Sequence, residues 1–111
     1  MIRIVSFGYK KGVPKKVDHV IDCRGLRNPH FVPHLHGLTG LDKAVQDYVL
    51  ADPKAKEIIK RALSVSGDNA TLAFGCFGGR HRSVTIAEKV AEHLRNFGKT
   101  VVVIHRELRQ R

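Results

Sequence analysis

The chain has 111 residues, 42% of them hydrophobic, and a formal net charge of +10 at pH 7. That length and apolar content suit one domain with its own core, and two cysteines exclude a disulfide scaffold. No apolar run approaches the roughly 20 residues of a membrane span, so no membrane partner is expected, and the basic balance favours anionic partners, nucleic acid first.

Met1 to Phe7 reads as a first strand. It is too short for the apolar region of a secretory signal, so the expected location is the cytoplasm. Gly8 to Pro14 is punctuated by two glycines and a proline and reads as a turn. Val17 to Cys23 suits a second, mostly buried strand. Arg24 to Thr39 has little periodicity and reads as a long ordered loop, of a length that usually carries function. Leu41 to Leu50 has a helical pattern. Asp52-Pro53 supplies an N-cap and a proline for the first position of a further helix ending near Leu63.

Ser64 to Asn69 is a turn, and Thr71 to Gly75 a third strand. The last helix, Ser83 to Phe97, places Val84, Ala87, Val90, Ala91, Leu94 and Phe97 on one stripe. Gly98 stops it, and Thr100 to Ile104 is the final strand. The expected fold is α/β, a single domain with a mixed, mostly parallel sheet of about four strands and about three helices. Parallel pairing is expected in the last strand–helix–strand unit. Gly98-Lys99-Thr100 imitates the end of a Walker loop, but His93 stands where the upstream glycine belongs, and the run follows a helix instead of opening one.

Nine residues carry most of the chemistry: Gly75-Cys76-Phe77-Gly78-Gly79-Arg80-His81-Arg82-Ser83. A glycine-rich turn between a strand and a helix turns several backbone amides toward one point, and the helix start adds positive dipole there. Gly78 and Gly79 permit positive φ and close backbone approach. Arg82 is the expected phosphate fork, and Arg80 adds charge. His81 can donate to the anion, which should raise its pKa and make binding pH-sensitive. Ser83 either touches the ligand or caps the helix. The expected occupant is a phosphate or sulfate-like anion, with no other cofactor.

The same loop fits Cys-x5-Arg-Ser, the spacing of cysteine-dependent phosphatases. There a thiolate (Cys76) sits on amide dipoles, the arginine (Arg82) clasps the phosphoryl oxygens, and a separate aspartate (Asp22 or Asp42) protonates the leaving group. Gly75 stands where those enzymes usually carry histidine, and Arg80 and His81 are bulky for so tight a loop. His30, His34 and His36 suggest zinc ligation, but a three-histidine loop offers no fourth partner, and no metal is expected.

Beyond the loop, further blocks stand in order: Ser6-Phe7-Gly8-Tyr9-Lys10 with Gly12 and Pro14, Asp22-Cys23-Arg24, Asn28-Pro29-His30, Leu38-Thr39-Gly40-Leu41-Asp42, and Gly98-Lys99 with His105-Arg106. With the loop's Gly-Cys-x-Gly-Gly-x-His-Arg-Ser-Val, this series resembles the C-terminal domain of the RapZ/YvcJ family over nearly the whole chain. The resemblance implies a phosphosugar or nucleotide-sugar ligand, a regulatory and non-catalytic role, contact with a small structured RNA, and assembly into a homo-oligomer. It adds His30, Arg24, Lys10, Thr39, Gly40 and Asp42 to the ligand site formed by Cys76, Gly78, Gly79, Arg80, His81, Arg82 and Ser83. Arg106, Arg109 and Arg111 are expected to supply part of a basic face for RNA. Full-length members also carry an N-terminal Walker-type nucleotide-binding domain, so the chain reads as the C-terminal unit standing alone. Phe77 departs from the family pattern by replacing a small polar residue.

Overall fold

The computed structural model describes residues 1–108. Four strands, β1 (Ile2–Gly8), β2 (His19–Asp22), β3 (Thr71–Cys76) and β4 (Val101–His105), form one sheet in the order β2-β3-β1-β4. Every pairing is parallel, so the expected mixed sheet is all-parallel. The last strand–helix–strand unit is also wider than the sequence suggests. β3 and β4 do not pair with each other; the crossover spans β1, which lies between them.

The sheet's alternation positions the core. Ile2 and Ile4 of β1, Leu72 and Phe74 of β3, Ile21 of β2 and Val101 of β4 pack inward, while Arg3, Val20, Val102 and Ile104 stay exposed. Helix α4 (Arg82–Asn96) buries Val84, Ala87, Val90, Ala91 and Leu94 against this layer. Helices α2 (Lys43–Leu50) and α3 (Pro53–Ser64) pack on α4 in turn. Phe97, expected on the apolar stripe, caps α4 and is 71% exposed. Gly98 follows at φ +83°, the left-handed residue that ends the helix. The second strand, expected to be mostly buried, is an edge strand in which only Ile21 is buried.

The expected loop over residues 24–39 contains helical turns. Asn28 accepts a hydrogen bond from the His30 amide at 3.1 Å and opens a 3-10 turn, Pro29–Phe31. A short helix, α1 (Pro33–His36), follows, with Pro33 at its first position. Helix α2 begins at Lys43, not Leu41, because the Asp42 carboxylate accepts the Thr39 amide at 2.8 Å and folds residues 39–42 into a turn. Asp52 caps α3 as expected, accepting from the Lys54 amide at 3.0 Å, and also holds the Arg27 amide at 3.0 Å. No helix among the described residues is long and apolar enough to cross a membrane.

Candidate anion site

The site forms at the carboxyl ends of β1 and β3, where open α/β sheets place their ligands. Gly8 and Cys76 are register partners there. Two close backbone approaches shape the loop that follows β3. A Cβ on Gly8 would lie 2.6 Å from the carbonyl of Gly78. Gly79 sits at φ +75°, and a Cβ there would lie 2.5 Å from the Gly8 nitrogen and 2.7 Å from the Phe7 carbonyl carbon. Only hydrogen fits at both positions. The Gly8 amide is held from behind by Glu107, whose carboxylate accepts it at 2.8 Å. The Lys10 amide donates to the Phe77 carbonyl at 3.2 Å and ties β1's exit to the loop.

Among the described residues, the amides from Gly78 to Arg82 donate to no protein acceptor. The Ser83 amide turns inward to Cys76 Sγ at 3.4 Å, and that thiol donates to Ser83 Oγ at 3.2 Å. Ser83 is fully buried inside α4's first turn; the N-cap position belongs to His81. Serine therefore secures Cys76 under the loop instead of capping the helix.

Arg82 is 6% exposed. Its Nη1 donates to the carbonyls of Arg24 and Leu26, at 2.6 and 3.4 Å. Nε is buried without a partner, and among the described residues nothing accepts from Nη2. One corner of the guanidinium is thus anchored, and the Nε–Nη2 edge, the side used for bidentate recognition, has no protein acceptor among the described residues. His81 is 8% exposed, and its Nε2 is likewise buried without a partner. Burial lowers its pKa; the backbone of Leu38 and His36 opposes that shift, while the charges of Arg80 and His30 add to it.

These groups line a cavity of about 610 Å³ together with Lys10, His30, His36, Arg80, Phe31 and Phe77. Of the residues expected at the site, Lys10, Cys76, Gly78, Gly79, Arg80, His81, Arg82 and His30 meet here. Arg24 does not line the cavity. Its guanidinium forks onto Asp22 (2.9–3.3 Å) and stacks 3.8 Å from the Tyr9 ring centroid. Only its carbonyl serves the site, by holding Arg82. Thr39, Gly40 and Asp42 also stand behind the cavity. Gly40's amide donates to the Arg80 carbonyl at 2.8 Å, so this turn braces the loop.

Asp22 is held below the usual carboxylate range, first by the hydrogen bonds from Arg24's side chain. That disfavours the protonated form a general acid needs. Among the described residues no cluster of three metal-ligating side chains forms. The His30 and His36 rings meet at 49° with centroids 4.3 Å apart, and His36 Nδ1 lies 2.9 Å from the His30 carbonyl.

The basic tail is also rearranged. Arg106 binds Glu107 through Nε and Nη2 (3.0 and 2.7 Å) and the Gly12 carbonyl at 2.7 Å, so its guanidinium is a structural clamp. Arg109 and Arg111 lie outside the described residues. His105 points inward and links Ser6 Oγ to Glu88, with both contacts at 2.7 Å. This serine–histidine–glutamate chain joins β1, β4 and α4. Ser6 is fully buried and away from the cavity, so the chain positions α4. Glu107, Asn28, Phe31 and Phe77 contribute without having been expected as ligand residues, and His36, whose sequence context suggested only zinc, joins them. Phe31 and His36 lay beside the Asn28-Pro29-His30 block, but Glu107 had no local signal.

Residues 1–109 match the model of the RapZ C-terminal domain. The chain belongs to that family. Similar relatives include a nucleotide-binding protein of Thermobifida fusca, 50% identical over 95% of this chain and 40% of the relative. Another, from Thermodesulfovibrio yellowstonii, is 48% identical over 96% of this chain and 42% of the relative. One from Acidiphilium cryptum is 40% identical over 99% of this chain and 40% of the relative. The chain therefore spans about two fifths of the length of these relatives. The match rests on the whole fold, since the RapZ C-terminal domain model runs from β1 past the end of β4.

Proposed function

We propose that this RapZ C-terminal domain binds a phosphate-bearing ligand, of the phosphosugar or nucleotide-sugar class, at the Cys76–Ser83 loop and acts as a regulatory module. One observation carries the reading. Two buried nitrogens without partners, His81 Nε2 and Arg82 Nε, belong to residues that line one cavity, beside a run of amides without protein acceptors. A buried donor left unsatisfied costs about 1–3 kcal/mol, and an oxyanion at a loop of free amides supplies the acceptors that such a wall lacks. The relatives' description as nucleotide-binding proteins agrees with a phosphate-bearing ligand.

Calorimetric titration with inorganic phosphate and with sulfate tests the reading: saturable binding that Arg82→Lys weakens supports it, and heat of dilution alone refutes it. A second reading, a hydrolase using Cys76, is favoured by the Ser83 amide and hydroxyl converging on Sγ. Release of phosphate from an aryl phosphate by the wild type, abolished in Cys76→Ser, would establish it over the regulatory reading. The net charge of +10 extends the proposal to a structured RNA. RNA affinity that falls steeply across a salt series supports that contact, and no binding at low salt removes it.

A further inference from the structure

Two cysteines meet at the carboxyl end of the sheet, and the anion site uses only one of them. Ile21 of β2 and Phe74 of β3 are register partners, and both belong to the core. Two residues further along each strand, Cys23 and Cys76 stand on that same face and in the same core. The Cys23 amide donates to the Gly75 carbonyl at 2.7 Å, so the ladder runs one step past β2 and sets Cys23 opposite Cys76. Neighbouring strands lie about 4.7–4.9 Å apart, inside the roughly 4.4–6.8 Å between Cα atoms that a disulfide spans. Both cysteines are free, and the chain has no others.

Each cysteine supports a different part of the cradle, and the two parts converge on Arg82. Cys76 Sγ is bonded to the amide and hydroxyl of Ser83, the residue after Arg82. Cys23 Sγ points back to the Ile21 carbonyl at 3.8 Å. The Cys23 carbonyl accepts the Leu26 amide at 3.3 Å and so folds the turn whose Arg24 and Leu26 carbonyls hold the Arg82 guanidinium. Cys76 lines the cavity and Cys23 does not, so a small oxidant entering there meets Cys76 first. Burial pushes the Cys23 thiol well above its ordinary pKa, which suits it to act second.

We infer that Cys23 and Cys76 form a reversible dithiol–disulfide pair, closed by hydrogen peroxide, that loosens the anion cradle when oxidised. The Cys76 thiolate attacks one peroxide oxygen, the O–O bond breaks, and the other oxygen leaves as hydroxide. The Cys23 sulfur, giving up its proton, then attacks the Cys76 sulfenic acid; the S–S bond forms and a second hydroxide leaves. The two thiol protons convert both hydroxides to water, and the peroxide takes up the two electrons that the sulfurs lose. In the disulfide Cys76 has no S–H to donate, and its sulfur turns from Ser83 toward Cys23. Arg82 then sits between two displaced segments. The effect on binding rests on the anion-site reading above; the disulfide itself does not.

The test treats the reduced chain with hydrogen peroxide at low protein concentration and follows intact mass, the peptide map and phosphate affinity by calorimetry. The expected product has lost two hydrogens and carries Cys23 and Cys76 in one linked peptide. Its phosphate affinity should be lower by roughly tenfold or more, the loss expected when hydrogen bonds to a charged group are displaced, and dithiothreitol should restore it. In Cys23→Ser, peroxide should leave a Cys76 sulfenic acid that dimedone traps, whereas the wild type should escape trapping. A wild type that gives no linked peptide or is trapped to the same extent, or a disulfide form that binds phosphate as tightly as the reduced one, overturns the inference and leaves the anion site standing. Absence of phosphate binding in both forms overturns the anion site and its regulation together, even where the disulfide forms.

Discussion

Replacing Gly79 by alanine probes the geometry on which the cradle depends. Residue 79 sits at φ +75°, where an L side chain costs about 1–2 kcal/mol. The added methyl also meets the Gly8 nitrogen and the Phe7 carbonyl carbon at 2.5 and 2.7 Å. Both atoms belong to the backbone of a strand paired on two sides, so they move only by distorting the sheet. Overpacking of this kind costs about 1–3 kcal/mol, for a total of about 2–5 kcal/mol. Domains of this size are stable by about 5–15 kcal/mol, so Gly79→Ala should remain folded but clearly weakened. Gly78→Ala is the matched control. Gly78 is not among the positive-φ residues, and a Cβ there meets nothing within 4 Å, so its change should stay within about 0.5 kcal/mol. Urea unfolding of both variants, with phosphate titrated into each, measures stability and the cradle together. Equal unfolding midpoints for the two variants would refute the close packing of the loop on β1.

Glu107→Gln keeps the shape of the buried side chain but removes the charge that holds the Gly8 amide and Arg106; a loss of about 1.5–3 kcal/mol is expected, and an unchanged melting curve would remove Glu107 from the support of the loop. Arg82→Lys loses both the carbonyl anchors and the planar fork, so phosphate affinity should fall at least about tenfold by calorimetry; undiminished binding would place the anion elsewhere. Burial lowers the pKa of His81 in the free protein, so the unfolded chain takes up its proton first, and the stability this residue contributes is present above the ordinary histidine value and lost as pH falls below it. Sulfate stays a dianion across this range and should favour the imidazolium, so its affinity should rise from about pH 8 to about pH 5, and His81→Asn should flatten that slope; a slope that persists in the variant assigns it to another group.

The strand and helix order was legible because local signals agreed with the final packing. Period-two and period-3.6 patterns, the Asp52-Pro53 cap and the Gly98 stop each depend on neighbours within a few residues, and each appears in the fold near its expected place. The glycine-rich loop was legible for the same reason, since strand, loop and helix are contiguous in the chain. The series of blocks that resembles the RapZ C-terminal domain was equally readable without coordinates. What the sequence concealed depends on contacts between distant residues. β1 lies between β3 and β4 because of pairing across roughly the length of the chain, which no local pattern records. Arg24 resembled a ligand residue, yet its guanidinium is bound by Asp22 and only its carbonyl reaches Arg82. Arg106 looked like a free surface charge but folds onto Glu107, 99 positions beyond the Gly8 amide that this carboxylate holds. Which residue types can bind an anion follows from their chemistry and is written along the chain; which of them remain unpaired is decided by what each meets after folding, and only the tertiary structure brings those partners together.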